Sequence, residues 1–155
     1  MATTARPRRP RGLRALSAAA SDLRYEWDMT KVAAVLLSSA TEADNPLLVN
    51  VALECLLLHA RNIRDFFAPR GQSDDVLAAD FLGRPLRVAM PLLRSHSLRT
   101  RLNRRIAHLS YSRARLKRGW QVRTLTAEID RAMTTFVRRL RASQPRVAKS
   151  TFGAA

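Results

Sequence analysis

Residues 45–67, NPLLVNVALECLLLHARNIRDFF, decide the fold class. Asn45 can accept hydrogen bonds from the free N–H groups at a helix start, and Pro46 suits the first helical position. The helix predicted here runs to about Phe67 and stops at Ala68-Pro69-Arg70-Gly71. Between Leu47 and Leu58 it is apolar on nearly every side. Such a helix is expected in the middle of a bundle, covered all round by neighbours.

Working outward, a helix is predicted from Ser21 to Thr41, with Ser21 as its cap. Tyr25, Met29, Val32 and Leu36 fall at i, i+4, i+7 and i+11, the spacing of an inward stripe, with Trp27 at its margin. A short helix is predicted from Ser73-Asp74-Asp75 to Leu82-Gly83. The two aspartates there read as first-turn residues favoured by the helix dipole. Another helix is expected over about Leu92 to Ser110, with Leu98, Leu102, Ile106 and Leu109 inward. A last one covers about Gln121 to Ala142, with Val122, Leu125, Ile129, Met133, Phe136 and Leu140 inward. No stretch reads as a strand. The expected architecture is all-α: a four-helix up-and-down bundle over residues 21–142 with one short extra helix. Residues 1–20 are basic, proline-containing and nearly free of large apolar groups, and are expected to be a disordered tail. Residues 143–155 are expected to be a second one.

With 155 residues the chain is long enough for one hydrophobic core without covalent staples. Its single cysteine, Cys55, excludes a disulfide framework and a cysteine-based zinc site. No apolar run approaches the length that crosses a bilayer, and the start of the chain lacks the apolar stretch of a secretory signal. A cytoplasmic location is expected, with no membrane partner. An arginine-rich, acid-poor start would also suit an organellar transit peptide in a eukaryote.

The net charge of +16 is unevenly placed. Residues 25–80 carry 4 basic and 9 acidic side chains, whereas residues 81–155 carry 18 basic and 2 acidic ones. That asymmetry fits a polyanion, RNA or DNA, on the basic face, or contact between unlike halves of two copies in a homodimer. A codon supply rich in G and C would raise arginine as well. The nucleic-acid candidates are Arg101, Arg104, Arg105, Arg113, Arg115, Lys117 and Arg118.

The catalytic inventory is thin. No phosphate-cradling glycine loop, HExxH or Gly-x-Ser-x-Gly occurs, and no acid stands near a histidine at metal-ligand spacing, so neither cofactor nor metal is expected. His59 reads as a core residue with one hydrogen bond. Arg61 and Asp65, at i and i+4, read as an ion pair. Arg101 and His108, two turns apart, share a helix face. There a histidine can move a proton and an arginine can steady a phosphorane, which is what metal-independent RNA cleavage requires.

The segments LLLHARNIRDFFA, DDVLAADFLG and LNRRIAHLSYSR resemble a family of small bacterial helical proteins, mostly uncharacterised. More distantly, four helices with an Arg…His helix are similar to the HEPN class. That resemblance implies a dimeric, metal-independent ribonuclease of a toxin or defence system, with Arg101 and His108 catalytic. The sequence departs from the HEPN pattern at Leu102, where a polar residue is usual. The leading expectation is a non-enzymatic helical module that associates with itself and with nucleic acid. The HEPN-like ribonuclease is the alternative.

Overall fold

The computed structural model describes residues 10–102 and 119–153. Regular structure among them is entirely helical: α1 (Leu13–Glu42), α2 (Pro46–Phe66), α3 (Ala78–Leu82), α4 (Pro91–Arg94), α5 (His96–Leu102), α6 (Val122–Ser143) and α7 (Pro145–Phe152). The all-α expectation therefore holds, and no strand occurs among the described residues.

α2 begins as its sequence dictates. The Asn45 side chain accepts from the Leu48 N–H at 3.0 Å, and Pro46 follows it. One face buries Ala52, Leu53, Leu56, Leu57, Ala60, Ile63 and Phe66. The opposite face is bare: Leu47 is 75% exposed, Val51 53% and Leu58 42%. This corrects the expectation of a helix enclosed all round. α1, α4, α5 and α6 pack on α2 and leave one side open. By length and apolar composition α2 could cross a membrane. Here its buried residues belong to the same core as those of α1 and α6.

α1 starts at Leu13, eight residues before the expected cap, so the expectation of a disordered tail over residues 1–20 fails for Leu13–Ala20. Leu16, Ala20 and Leu23 recur at four and three and are buried, and α7 packs on α1. Leu, Arg and Ala are strong helix formers, so few apolar contacts suffice to hold this turn. Ser21 lies mid-helix, its hydroxyl donating to the Ser17 carbonyl.

The inward stripe expected on α1 is also corrected. Tyr25, Val32 and Leu36 are exposed, while Leu16, Ala20, Leu23, Thr30, Ala33 and Ala40 are buried with Trp27 and Leu37 packed beside them. α1 carries two apolar stripes, and only one can face the core. The inner one is rich in alanine, which lets α2 come close. It also carries Trp27, whose Nε1–H donates to Asp130 on α6 at 2.6 Å.

The short third helix starts at Ala78, not Ser73. Asp75 accepts from the Gln72 N–H, and Asp80 accepts from the Leu77 N–H at 2.9 Å. Asp75 thus folds back on the backbone of a turn, a competing use for aspartate. Asp80, not the 74–75 pair, is the acid in the first turn. The expected Leu92–Ser110 helix is broken at Ser95, which is extended. Its hydroxyl accepts from the Leu98 N–H at 3.2 Å and so restarts the helix as α5. Beyond Leu102 that expectation lies outside the described residues.

α6 follows its expected course, with Leu125, Ile129, Met133, Phe136 and Leu140 buried and Val122 partly so. The expected loose tail 143–155 is corrected by α7. Pro145 opens that helix, Val147 and Ala148 are buried, and Phe152 packs against the core. Arg146 and Lys149 on its outer side hide this short amphipathic pattern from a compositional reading. Phe66, Phe67, Phe81 and Phe136 meet edge to face at centroid distances of 4.9 to 6.2 Å, joining α2, α3 and α6.

Candidate functional site

Three constellations bear on function. The first is polar and lies between α1 and α2. His59 Nδ1 stands 2.6 Å from Glu26 Oε2, and the Asn62 amide donates to the same oxygen at 3.1 Å. The Tyr25 ring meets the imidazole edge-on at 5.6 Å. His59 is buried and has its one hydrogen bond, as expected of a core histidine. Cys55 lies one turn before it, and burial, with the Glu26 charge second, raises its thiol pKa. A raised thiol is a poor nucleophile, so this cluster fastens two helices. Arg61 and Asp65 approach to 3.7 Å, the expected pair, and Arg64 also holds Asp65 at 2.8 Å.

The second constellation is the outer face of the α1–α2 hairpin. Tyr25, Val32 and Leu36 recur at seven and four on α1, and Leu47, Val51 and Leu58 at four and seven on α2. All six are exposed. The Tyr25–His59 contact sets that side of α1 beside α2.

The third is basic. Residues 81–153 contain two carboxylates, Glu128 and Asp130, and both are used internally. Glu128 is 1% exposed and accepts from the N–H groups of Leu92 at 2.9 Å and Leu93 at 3.0 Å, satisfying the start of α4. Asp130 holds Trp27. The described ion pairs lie instead on α1 and α2: Arg24–Asp28, Arg61–Asp65 and Arg64–Asp65.

Within this basic half, Arg84, Arg87 and Arg139 line a groove of about 430 Å³ with Leu82, Pro85, Leu86, Ala142 and Ser143. One wall is the link after α3, turned by Gly83 at φ 69°, a left-handed value that a side chain would strain. The other is the end of α6. Sequence reading did not single out these arginines, because 84 and 139 are distant in the chain and only the fold joins them.

Of the expected nucleic-acid residues, Arg101 belongs to the backbone of α5. Its side chain, and Arg104, Arg105, Arg113, Arg115, Lys117 and Arg118, lie outside the described residues. His108 does too, so the Arg101–His108 juxtaposition is not described. Among the described residues no group of three or more His, Cys, Asp or Glu side chains could hold a metal ion. No protein-family model matches this chain, and neither a curated protein nor a solved structure does.

Proposed function

We propose that this chain is a non-enzymatic helical interaction module that pairs with a second copy of itself and holds nucleic acid, without sequence preference, on its basic C-terminal half. The proposal includes its architecture, an up-and-down four-helix bundle in which α1, α2 and α6 are three of the rods. The observation that carries it is the bare outer face of the α1–α2 hairpin. Tyr25, Val32, Val35, Leu36, Leu47, Val51 and Leu58 are seven large apolar residues exposed on two neighbouring helices, the kind of apolar surface that marks an interaction site. A second copy offering the same face would cover it with no new chemistry, as isologous dimers do. The nucleic-acid part is supported by the basic half, whose two carboxylates are occupied internally.

Sedimentation velocity across 1–100 µM tests the pairing. The wild-type chain is expected as a dimer, and Leu47→Glu with Val51→Glu as a monomer of unchanged helicity. A wild-type chain monomeric throughout overturns the self-association. Binding to mixed RNA at 50 and 200 mM salt tests the second part, and an affinity equal at both removes the electrostatic basis. Incubation with labelled RNA and a chelator separates this reading from a HEPN-like ribonuclease acting through Arg101 and His108. Cleavage that persists with chelator and disappears in His108→Ala overturns the non-enzymatic role.

A further inference from the structure

We infer that the groove between the Leu82–Arg87 link and the C-terminal end of α6 binds one unpaired nucleotide of a nucleic-acid strand, with Arg84, Arg87 and Arg139 on its phosphates. The inference rests on the nucleic-acid part of the function proposed above and gives it a site.

Four observations carry it. All three arginines are exposed, and none of their guanidinium groups forms an ion pair or a hydrogen bond with another described residue. In a folded protein an arginine is readily paired when a carboxylate is within reach; here residues 81–102 and 131–153 contain no acid at all. The nearest acids in the chain, Asp80 before the groove and Glu128 and Asp130 on α6, already hold the Leu77 N–H, the N–H groups of Leu92 and Leu93, and Trp27. Finally, the three arginines line the groove from two walls, Arg84 and Arg87 from the link and Arg139 from α6, so an anion in it has cationic residues on both sides. Planar guanidinium forks suit the paired oxygens of a phosphate.

The shape of the groove argues against a duplex. A volume of about 430 Å³ lies in the range of small-ligand pockets and far below what a double helix requires. Leu82, Pro85, Leu86 and Ala142 give the groove an apolar part, where the face of an unpaired base can lie while its phosphate stays with the arginines. No aromatic ring lines it, so it lacks a stacking platform, and its one polar side chain besides the arginines is Ser143, whose hydroxyl both donates and accepts and so does not tell one base edge from another. Recognition there is consequently of backbone and shape, indifferent to sequence.

Fluorescence anisotropy with a labelled 12-nucleotide oligo-U and a duplex of equal length tests the inference. Three proteins are compared: the wild-type chain, the variant Arg84→Gln/Arg87→Gln/Arg139→Gln, and a control Arg131→Gln/Arg138→Gln/Arg146→Gln. The control removes the same charge from exposed positions outside the groove. Circular dichroism checks that both variants stay folded. The groove variant is expected to bind the single strand at least ~10-fold more weakly, with a log–log salt slope shallower by about 1.4, as loss of the two phosphates flanking one nucleotide requires. The control is expected to lose less than about threefold in affinity. Equal losses in the two variants overturn the groove as a site, while leaving diffuse nucleic-acid binding by the basic half intact. A wild-type chain that binds neither oligonucleotide at 50 mM salt overturns the underlying reading and this inference together. A groove variant that weakens binding to the duplex as much as to the single strand overturns the assignment to an unpaired nucleotide.

Discussion

The α1–α2 hairpin and the half of the molecule from residue 81 onward treat charge in opposite ways. On the hairpin several acids are held by polar partners on the same two helices: Asp28 pairs with Arg24, Asp65 pairs with both Arg61 and Arg64, and Glu26 is hydrogen-bonded to His59. Its outer surface then remains apolar, through Tyr25, Val32, Leu47 and Val51. In the later half the acids turn inward. Glu128 closes the start of α4 and Asp130 anchors Trp27, so no carboxylate of that half remains to neutralise its arginines. A formal charge of +16 therefore describes neither half. Where the few acids are used decides which surface is sticky to apolar groups and which to anions.

The contrast can be broken most forcefully at Glu128. Glu128→Ala leaves two backbone N–H groups buried without an acceptor and opens a small cavity. A loss of about 3 kcal/mol is expected in urea unfolding followed by helical dichroism. Glu128→Gln keeps one acceptor oxygen and is expected to lose about half as much. If Glu128→Ala unfolds at the wild-type midpoint, that carboxylate does not hold the start of α4. Next comes the bridge between the halves. Asp130→Ala removes the acceptor of the Trp27 indole N–H, with an expected loss of about 1–2 kcal/mol and a shift in tryptophan emission.

Within the hairpin, Glu26→Gln is expected to cost about 1 kcal/mol by weakening its hydrogen bonds to His59 and Asn62. It has a second readout at Cys55. Burial first, and the Glu26 charge second, raise that thiol, so its alkylation in the folded protein is expected to be slow at pH 8 and faster in Glu26→Gln. The folded thiol keeps its proton to higher pH than the unfolded one. Its contribution to stability is therefore complete below the ordinary thiol value and is lost as pH rises from that value through the higher folded one. An alkylation rate equal in native and unfolded protein would contradict this. The smallest effect is expected at Asp44, in the α1–α2 turn, where φ is 48°. Asp44→Gly is expected to change stability by only a few tenths of a kcal/mol, whereas Asp44→Val costs ~1–2 kcal/mol, measured by thermal melting.

Much of the fold was legible at the level of single elements. Asn45 and Pro46 specify a helix start by chemistry local to four residues. The Leu125–Leu140 stripe on α6 is the one apolar face that helix has. His59, flanked by apolar residues one turn either way, could be read as interior. The candidate sites were less legible. Arg84, Arg87 and Arg139 carry no local signature, because an arginine in sequence looks the same whether it is paired or waiting for an anion. Asp75 looked like a helix acid and is a turn acceptor, since the same carboxylate suits both and only the backbone path chooses.

Sequence by itself determined that the chain is helical, where most of its long helices lie, and that its positive charge gathers late. These follow from the 3.6-residue period, capping chemistry and simple counting, each set by neighbours in the chain. Only the tertiary structure decided which of α1's two apolar stripes faces the core, that residues 13–20 and 145–152 are helical, and that one side of α2 stays uncovered. Each of those depends on what lies across from a helix: a stripe is buried only where a partner reaches it, and a short helix persists only where another surface receives its apolar side.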